Sequence, residues 1–232
     1  MYPAVHHSTE RRALRIAIND STTLDGDLSL PEHAAGIVLF AHGSGSSRFS
    51  PRNREVAGQL NDAGLATLLV DLLTPAEETI DERTRHLRFD ITLLADRLVG
   101  LTDWLTDQGP TRSLNIGYFG ASTGAGAALV AAAQRPHTAR AVVSRGGRPD
   151  LAGEALGHVR APTLLIVGGN DYSVIDMNRH ALELLHSEKR LEIVPGATHL
   201  FEEMGALGVV STLARNWFLR HLGQTLYSNQ SF

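Results

Sequence analysis

The segment Leu114–Val130 constrains the fold more than any other stretch, because it joins a strand pattern directly to a helix pattern. Its first half is an apolar run that ends in Gly120-Ala-Ser-Thr-Gly124, and its second half is rich in alanine. Glycines on both sides of Ser122 allow a strand and a helix to approach closely around a sharp turn. The segment therefore predicts a buried strand, a tight turn with Ser122 at its apex, and a helix.

Strand and helix patterns alternate along the rest of the chain. Two continuous apolar runs, Gly36–Ala41 and Leu65–Leu72, are typical of strands buried on both faces of a parallel sheet. Apolar residues recur every three or four positions from Leu87 to Leu105, which predicts a helix. Further strands are expected at residues 12–18, 22–30, 139–144, 162–167 and 191–194, and further helices at 50–64, 151–159, 174–186 and 207–222. This order predicts an α/β fold with a mostly parallel sheet of about eight strands and helices on both faces, with strands 12–18 and 22–30 antiparallel at one edge.

The length of 232 residues suits one domain over residues 1–232, with residues 1–11 and 226–232 expected to be flexible tails. The interval between Ser144 and Pro162 is too short for a large cap domain. If the chain has a lid, the polar segment Thr74–Arg85 is the candidate for it.

Two polar residues follow strand patterns downstream of Ser122. Asp171 comes shortly after the strand predicted at 162–167, and His199 comes after the strand predicted at 191–194. Open α/β sheets place their ligand sites at the carboxyl ends of the strands, where these residues would meet. The G-x-S-x-G turn and the chain order Ser, Asp, His are those of a nucleophile elbow with its catalytic partners.

The chain resembles the α/β-hydrolase family and, within it, the dienelactone-hydrolase-like branch. The resemblance spans roughly residues 15–222, and it rests on four motifs: His42-Gly-Ser-Gly-Ser-Ser-Arg48, Gly120-Ala-Ser-Thr-Gly124, Gly168-Gly-Asn-Asp171 and Gly196-Ala-Thr-His199. Dienelactone hydrolases proper carry a Cys nucleophile, whereas this chain has no Cys and presents Ser122 at that position. The resemblance therefore implies the α/β-hydrolase fold, and leaves that family's substrate open.

The predicted chemistry is hydrolysis of small or short-acyl carboxylic esters through an acyl-enzyme. Ser122 would be the nucleophile, His199 the general base and acid, and Asp171 the residue that orients the imidazole. Asp150, which follows the preceding strand, is the alternative acid. The same three residues could instead cleave lactones, thioesters or amides, and a non-catalytic ligand-binding module is a further alternative. Each residue also has a purely structural interpretation: Ser122 as a turn residue, Asp171 as an Asx-turn residue and His199 as a helix-capping or surface side chain.

Residues around these motifs are candidates for contact with substrate. The oxyanion hole would use the backbone N–H groups of Thr123 and Ser44. Arg48 and Arg145 follow strands on the catalytic edge, and either could hold a substrate carboxylate, although solvated loop arginines are common. The residues that could line an acyl pocket, or simply belong to the core, are Leu73, Tyr172, Met177 and Phe201. We expect His42 to hold the shape of its loop through hydrogen bonds.

Composition and motifs limit the classes of partner and cofactor that the chain is expected to bind. A net charge of −4 with dispersed basic residues argues against nucleic acid and anionic membrane as partners, and no apolar run reaches the length of a membrane span. No metal-ligand or nucleotide-binding motif is present, so we expect no cofactor and no metal. The first residues lack a signal-peptide pattern, and with the absence of Cys this favours a cytoplasmic location. No pattern predicts an oligomeric state.

Overall fold

Eight strands form one sheet in the computed structural model, which describes residues 9–223. In chain order they are β1 (Thr9–Asn19), β2 (Thr22–Pro31), β3 (Ile37–Ala41), β4 (Ala66–Val70), β5 (Ile116–Ala121), β6 (Ala139–Arg145), β7 (Thr163–Gly168) and β8 (Lys189–Val194). Across the sheet they lie in the order β1-β2-β4-β3-β5-β6-β7-β8. Strands β3 to β8 are parallel, whereas β1 and β2 form an antiparallel hairpin at one edge. This confirms the predicted mostly parallel sheet of about eight strands.

Helices cover both faces of the sheet. They are α1 (Pro51–Asp62), α2 (Pro75–Thr84), α3 (Ile91–Asp107), α4 (Thr123–Gln134), α5 (Tyr172–Leu184) and α6 (Ala206–Leu222). One hydrophobic core lies under α3, α4 and α5, and a second lies under α1 and α6. The connection from β6 to β7 is a 3-10 segment, Pro149–His158, that packs on α4 and α5. This connection contains no cap domain within the described residues 9–223, as expected from the short interval between Ser144 and Pro162.

The first strand is longer than predicted. Thr9, Glu10 and Arg11 were expected in a flexible tail, but they pair with residues 29–31 of β2 and so belong to β1. Backbone pairing with β2 holds Thr9, Glu10 and Arg11 in the strand, although these three side chains are polar and carry no apolar pattern. The rest of the predicted tails, residues 1–8 and 226–232, lies outside the described residues.

The lid candidate, residues 74–85, is an anchored helix. Thr74 and Glu77 form a capping box at the start of α2, because each side chain binds the other residue's backbone N–H. The carboxylate of Asp81 is fully buried and accepts hydrogen bonds from the side chain and backbone N–H of Arg88. Burial by itself raises the pKa of Asp81, but these hydrogen bonds outweigh it and hold the pKa below its usual value. Arg97 of α3 also pairs with Glu77, so α2 is tied at both ends.

Candidate active site

Ser122 occupies a strained turn between β5 and α4. Its backbone has φ 50° and ψ −122°, a conformation that costs free energy for a residue with a side chain and is found where a nucleophile is presented. The flanking glycines are needed for close approach. A Cβ added at Gly120 would lie 2.4 Å from the Cα of Ala125, and one added at Gly124 would lie 2.3 Å from the carbonyl oxygen of Ala41. The predicted strand, sharp turn and helix are therefore confirmed.

The loops after β7 and β8 bring Asp171 and His199 together. His199 Nδ1 lies 2.7 Å from Asp171 Oδ2, and the Asp171 side chain is largely buried. Asn170 holds the two loops against each other, since its backbone N–H donates to Ala197 and its side chain donates to Gly196. With Nδ1 donating to the carboxylate, Nε2 is the basic nitrogen of the imidazole.

The end of β6 links Ser122 to His199. The backbone N–H of Ser122 donates to the carbonyl of Arg145 at 3.3 Å. A Cβ added at Gly146 would lie 3.0 Å from the carbonyl oxygen of His199 and 3.6 Å from its Cε1. Within the described residues Ser122 and His199 do not share a hydrogen bond, and bonds between a nucleophile and its base commonly tighten only in the Michaelis complex.

The alternative acid, Asp150, bonds elsewhere. The Arg148 guanidinium donates to it through Nε, at 2.9 Å from Oδ1, and through Nη2, at 2.7 Å from Oδ2. A bidentate guanidinium–carboxylate pair is a strong and geometrically specific contact. Of the two acids left open by the sequence, Asp171 is the one that contacts His199.

The two predicted oxyanion donors lie next to each other. Thr123 is the first residue of α4, where backbone N–H groups have no acceptor within the helix. The backbone N–H of Ser44 donates to the Thr123 hydroxyl at 2.9 Å, so this donor already has an acceptor. The loop is close against the nucleophile, because a Cβ added at Gly43 would lie 3.1 Å from the Cβ of Ser122.

His42 holds this loop in place, as expected. Its Nδ1 lies 2.9 Å from the carbonyl oxygen of Gly43, and its Nε2 accepts the backbone N–H of Leu72 at 3.1 Å. This pattern fixes a neutral imidazole with its proton on Nδ1. Burial lowers the pKa of His42, although the Gly43 carbonyl and the charges of Asp71 and Glu78 oppose the shift. Both ring nitrogens are therefore used by the fold.

The two arginines considered for substrate binding differ. Arg48 forms an ion pair within the chain, because its guanidinium binds the carboxylate of Asp71. The backbone N–H of Arg48 also donates to that carboxylate, at 2.6 Å. Arg145 is only 7% exposed, its guanidinium carbon lies 6.0 Å from the centre of the Phe201 ring, and its Nε has no hydrogen-bond partner within residues 9–223. Burial lowers the pKa of Arg145 to about 10, with a smaller contribution from the nearby charge of Arg52.

The four predicted pocket residues do not form one lining. Leu73 is buried and lines a cavity of 240 Å³ next to the loop of His42. Phe201 is fully buried in the second core. Tyr172 is 73% exposed at the start of α5, and Met177 is half-buried on the same helix.

Sequence reasoning missed Asp71, which lines that cavity and binds Arg48. It follows β4 directly, at the same sheet edge as the other site residues. Its position after an apolar strand pattern was a usable signal.

Comparison with known proteins gives the family. Residues 24–216 match the model of the dienelactone hydrolase family. The chain belongs to the dienelactone hydrolase family. It is also similar to a dienelactone hydrolase from Anabaena variabilis, with 64% sequence identity. The alignment with the crystal structure of that protein covers 93% of this chain and 100% of the Anabaena chain, and the TM-score is 0.91. This confirms the resemblance to the dienelactone-hydrolase-like branch and the α/β-hydrolase fold.

More distant structures share the fold alone. Est1E from Butyrivibrio proteoclasticus is 16% identical, with a TM-score of 0.75 over 90% of this chain and 98% of its own. Among curated proteins, a Mycobacterium tuberculosis protein named "Putative phosphoribosyl transferase" is 61% identical over 197 residues, which is 85% of this chain and 44% of that protein. The chain thus spans less than half the length of the curated relatives it matches.

No helix between residues 9 and 223 is long and apolar enough to cross a membrane. In the same part of the chain, no cluster of three or more His, Asp or Glu side chains is arranged to hold a metal ion.

Proposed function

We propose that this hydrolase-family chain is a serine esterase that cleaves small or short-acyl carboxylic esters through an acyl-enzyme. The observation that carries the proposal is the 2.7 Å contact of His199 with Asp171, in a chain that holds Ser122 in a strained turn after β5, at the same edge of the sheet. A serine hydroxyl is a weak nucleophile until a base removes its proton. The family membership supports hydrolysis as the reaction type.

In this mechanism the Ser122 Oγ attacks the ester carbonyl carbon while its proton passes to Nε2 of His199. Asp171 stabilises the resulting imidazolium through Nδ1. The bond to the alcohol oxygen then breaks, the leaving alkoxide takes the proton from His199, and the acyl group stays on Ser122. A water molecule, deprotonated by the same imidazole, attacks the acyl-enzyme and releases the carboxylic acid.

The oxyanion of each tetrahedral intermediate would accept hydrogen bonds from the backbone N–H groups of Thr123 and Ser44. Ser44 donates to the Thr123 hydroxyl in the structure, so the oxyanion must share or replace that acceptor. Losing one such donor typically raises the barrier by about 3 kcal/mol.

A small substrate is supported by the short connection between β6 and β7, which is a single 3-10 segment and not a cap domain. The 240 Å³ cavity next to the loop of His42 does not size the substrate, because neither Ser122 nor His199 lines it. Lactones, thioesters and amides could be cleaved through the same acyl-enzyme chemistry. A comparison of substrates is therefore needed to distinguish esters from these classes.

The test is hydrolysis of p-nitrophenyl acetate, butyrate and octanoate by the wild type and by Ser122→Ala. We expect turnover that falls with chain length and drops about a millionfold in the variant, since removal of a serine nucleophile has an effect of that size. Preference for octanoate would overturn the short-acyl assignment. Turnover that survives in Ser122→Ala would overturn the serine mechanism, and no turnover of any ester by folded protein would favour the ligand-binding alternative.

A further inference from the structure

The hydroxyl of Thr123 is a buried donor whose proton the chain does not use. Thr123 follows Ser122 directly and is the first residue of α4, and its side chain is buried. Its Oγ1 accepts the backbone N–H of Ser44 at 2.9 Å, but within residues 9–223 its O–H group donates to no acceptor. A threonine hydroxyl has one proton to donate as well as two lone pairs. Burying an unused donor costs free energy, so stability does not explain this half of the arrangement.

The rest of this helix is made of small and apolar residues. Every residue from Gly124 to Ala133 is glycine, alanine, leucine or valine. Small residues are needed where the helix begins, because a Cβ added at Gly124 would lie 2.4 Å from the carbonyl oxygen of His42. An alanine at position 123 would supply the same backbone N–H without burying a hydroxyl. The chain instead has a polar side chain at the helix position that adjoins Ser122.

The Thr123 hydroxyl lies where the turn of Ser122 meets the loop after β3. A Cβ added at Gly43 would lie 3.1 Å from the Cβ of Ser122, so the loop and the turn are in contact. The hydrogen bond from Ser44 holds the hydroxyl at this contact. When Ser122 attacks an ester, the carbonyl oxygen is carried by the carbon that becomes bonded to its Oγ, next to the backbone N–H of Thr123. Two donors of one residue are then available to the same oxygen.

The bond between Ser44 and Thr123 favours the hydroxyl over the Ser44 N–H as the group that meets the oxyanion. The Ser44 N–H would have to give up its bond to Thr123 before it could bind the oxyanion directly. The hydroxyl proton can bind the oxyanion with that bond intact, and donors that need no rearrangement stabilise a transition state most effectively. Accepting a hydrogen bond also polarises a hydroxyl and makes it a stronger donor.

We propose that the side-chain hydroxyl of Thr123 is a catalytic hydrogen-bond donor to the oxyanion. The hydrogen bonds run from the Ser44 N–H to Thr123 Oγ1 and from the Thr123 O–H to the oxyanion, and the proton stays on the threonine. Ser44 then acts on the oxyanion through this hydroxyl, and the backbone N–H of Thr123 is the other direct donor. The proposal deepens the esterase assignment and rests on it, because the oxyanion forms only when Ser122 attacks a carbonyl.

The test compares two variants of Thr123 in the hydrolysis of p-nitrophenyl butyrate. Thr123→Val removes the hydroxyl but keeps the branched shape and the backbone N–H. Its kcat should fall about 100- to 1,000-fold, as for the loss of one oxyanion donor. Its KM should change little, because the bond to the charged oxygen is made only in the transition state. Thr123→Ser keeps the hydroxyl and should retain most of the activity.

The opposite result is expected if the Ser44 N–H binds the oxyanion directly. The hydroxyl would then compete with the oxyanion for this N–H, and Thr123→Val should have an unchanged or higher kcat. That outcome would overturn the proposal. A Thr123→Ser variant as slow as Thr123→Val would also overturn it, because the hydroxyl would not be the group that matters.

A matched control separates catalysis from packing. Thr111 is buried before β5, at the other end of that strand from Ser122, and its hydroxyl donates to the carbonyl of Leu105 at 2.8 Å. Thr111→Val should lower the stability to urea and leave kcat unchanged. A butyl trifluoromethyl ketone, which forms a hemiketal oxyanion with a serine, gives a second readout. In Thr123→Val its inhibition constant should rise by about the factor by which kcat/KM falls, and an unchanged inhibition constant would contradict the proposal.

Fluorophosphonate labelling separates failure of this proposal from failure of the esterase assignment. Attack on phosphorus also places negative charge on an oxygen, so labelling of Ser122 should be slower in Thr123→Val than in the wild type. If the wild type cleaves no ester, slower labelling of the variant would support the hydroxyl and reject the ester class alone. Equal labelling rates would reject the role of the hydroxyl and leave the serine chemistry intact. Absence of both turnover and labelling in the wild type would reject the esterase assignment and this proposal with it.

Discussion

Arg145 and Arg148 lie three residues apart on the segment that follows Ser144, and they differ in exposure and in bonding partner. Arg148 is partly exposed, and two of its donors bind Asp150. Arg145 is buried, close to Ser122 and His199, with its Nε unpaired within the described chain. The guanidinium of Arg148 forms an ion pair with a carboxylate, whereas the Nε of Arg145 is buried without a hydrogen-bond partner among residues 9–223.

The same division separates the aspartates and the histidines of this sheet edge. The carboxylate of Asp150 is hydrogen-bonded to the guanidinium of Arg148, whereas that of Asp171 is hydrogen-bonded to the imidazole of His199. His42 uses both ring nitrogens on backbone groups, whereas His199 bonds to a side chain through Nδ1, and its Nε2 has no hydrogen bond within residues 9–223. In each pair, residue type and position after a strand are alike, and the bonding partner distinguishes the side chain that holds the fold from the one that we propose as catalytic.

The aspartate pair carries the largest expected effect. Asp171→Asn should lower kcat for p-nitrophenyl butyrate about 10,000-fold, because an amide at this position favours the wrong imidazole tautomer. Asp150→Asn should change kcat by less than about tenfold, since Asp150 has no contact with His199 and contributes only its pair with Arg148. Steady-state kinetics on both variants, with circular dichroism to confirm folding, makes the comparison. A larger loss in Asp150→Asn than in Asp171→Asn would reverse the assignment of the acid.

The histidine pair gives a smaller effect, in stability rather than catalysis. Burial lowers the pKa of His42, so below the ordinary histidine pKa of about 6.5 the unfolded chain binds more protons at this position than the folded chain. The free energy of unfolding should therefore fall as pH drops from 7 towards the lowered pKa. In His42→Gln, which keeps an acceptor for the Leu72 N–H, this fall should be shallower. Urea unfolding at several pH values measures both slopes, and equal slopes would contradict the neutral, buried role of His42.

Local patterns were sufficient for the elbow and for most of the sheet. The strand, the two glycines and the small-residue helix around Ser122 lie within seventeen residues, so the geometry follows from adjacent sequence. The positions of Asp171 and His199 after strands were also readable, because parallel strands place their carboxyl ends at one edge. Helix α2 could have been found as well, since Thr74 and Glu77 have the spacing of a capping box.

The bonding partners could not be predicted in the same way. Arg48 and Arg145 look equivalent in sequence, and only the folded chain shows that Asp71, 23 residues beyond Arg48, binds one of them. Likewise, the choice between Asp150 and Asp171 depends on which carboxylate reaches His199 in three dimensions. Such pairings depend on how separate loops meet, and hydrophobic periodicity carries no information about them.

The most direct test of the proposed catalytic unit is covalent labelling of the chain by a fluorophosphonate, with the modified residue located by mass spectrometry. A serine activated by its imidazole partner should be phosphonylated, so we expect one label on Ser122 in the wild type, none on Ser122→Ala, and much slower labelling of His199→Gln. Label on another residue would contradict the account. So would labelling of Ser122 that proceeds at the same rate without His199.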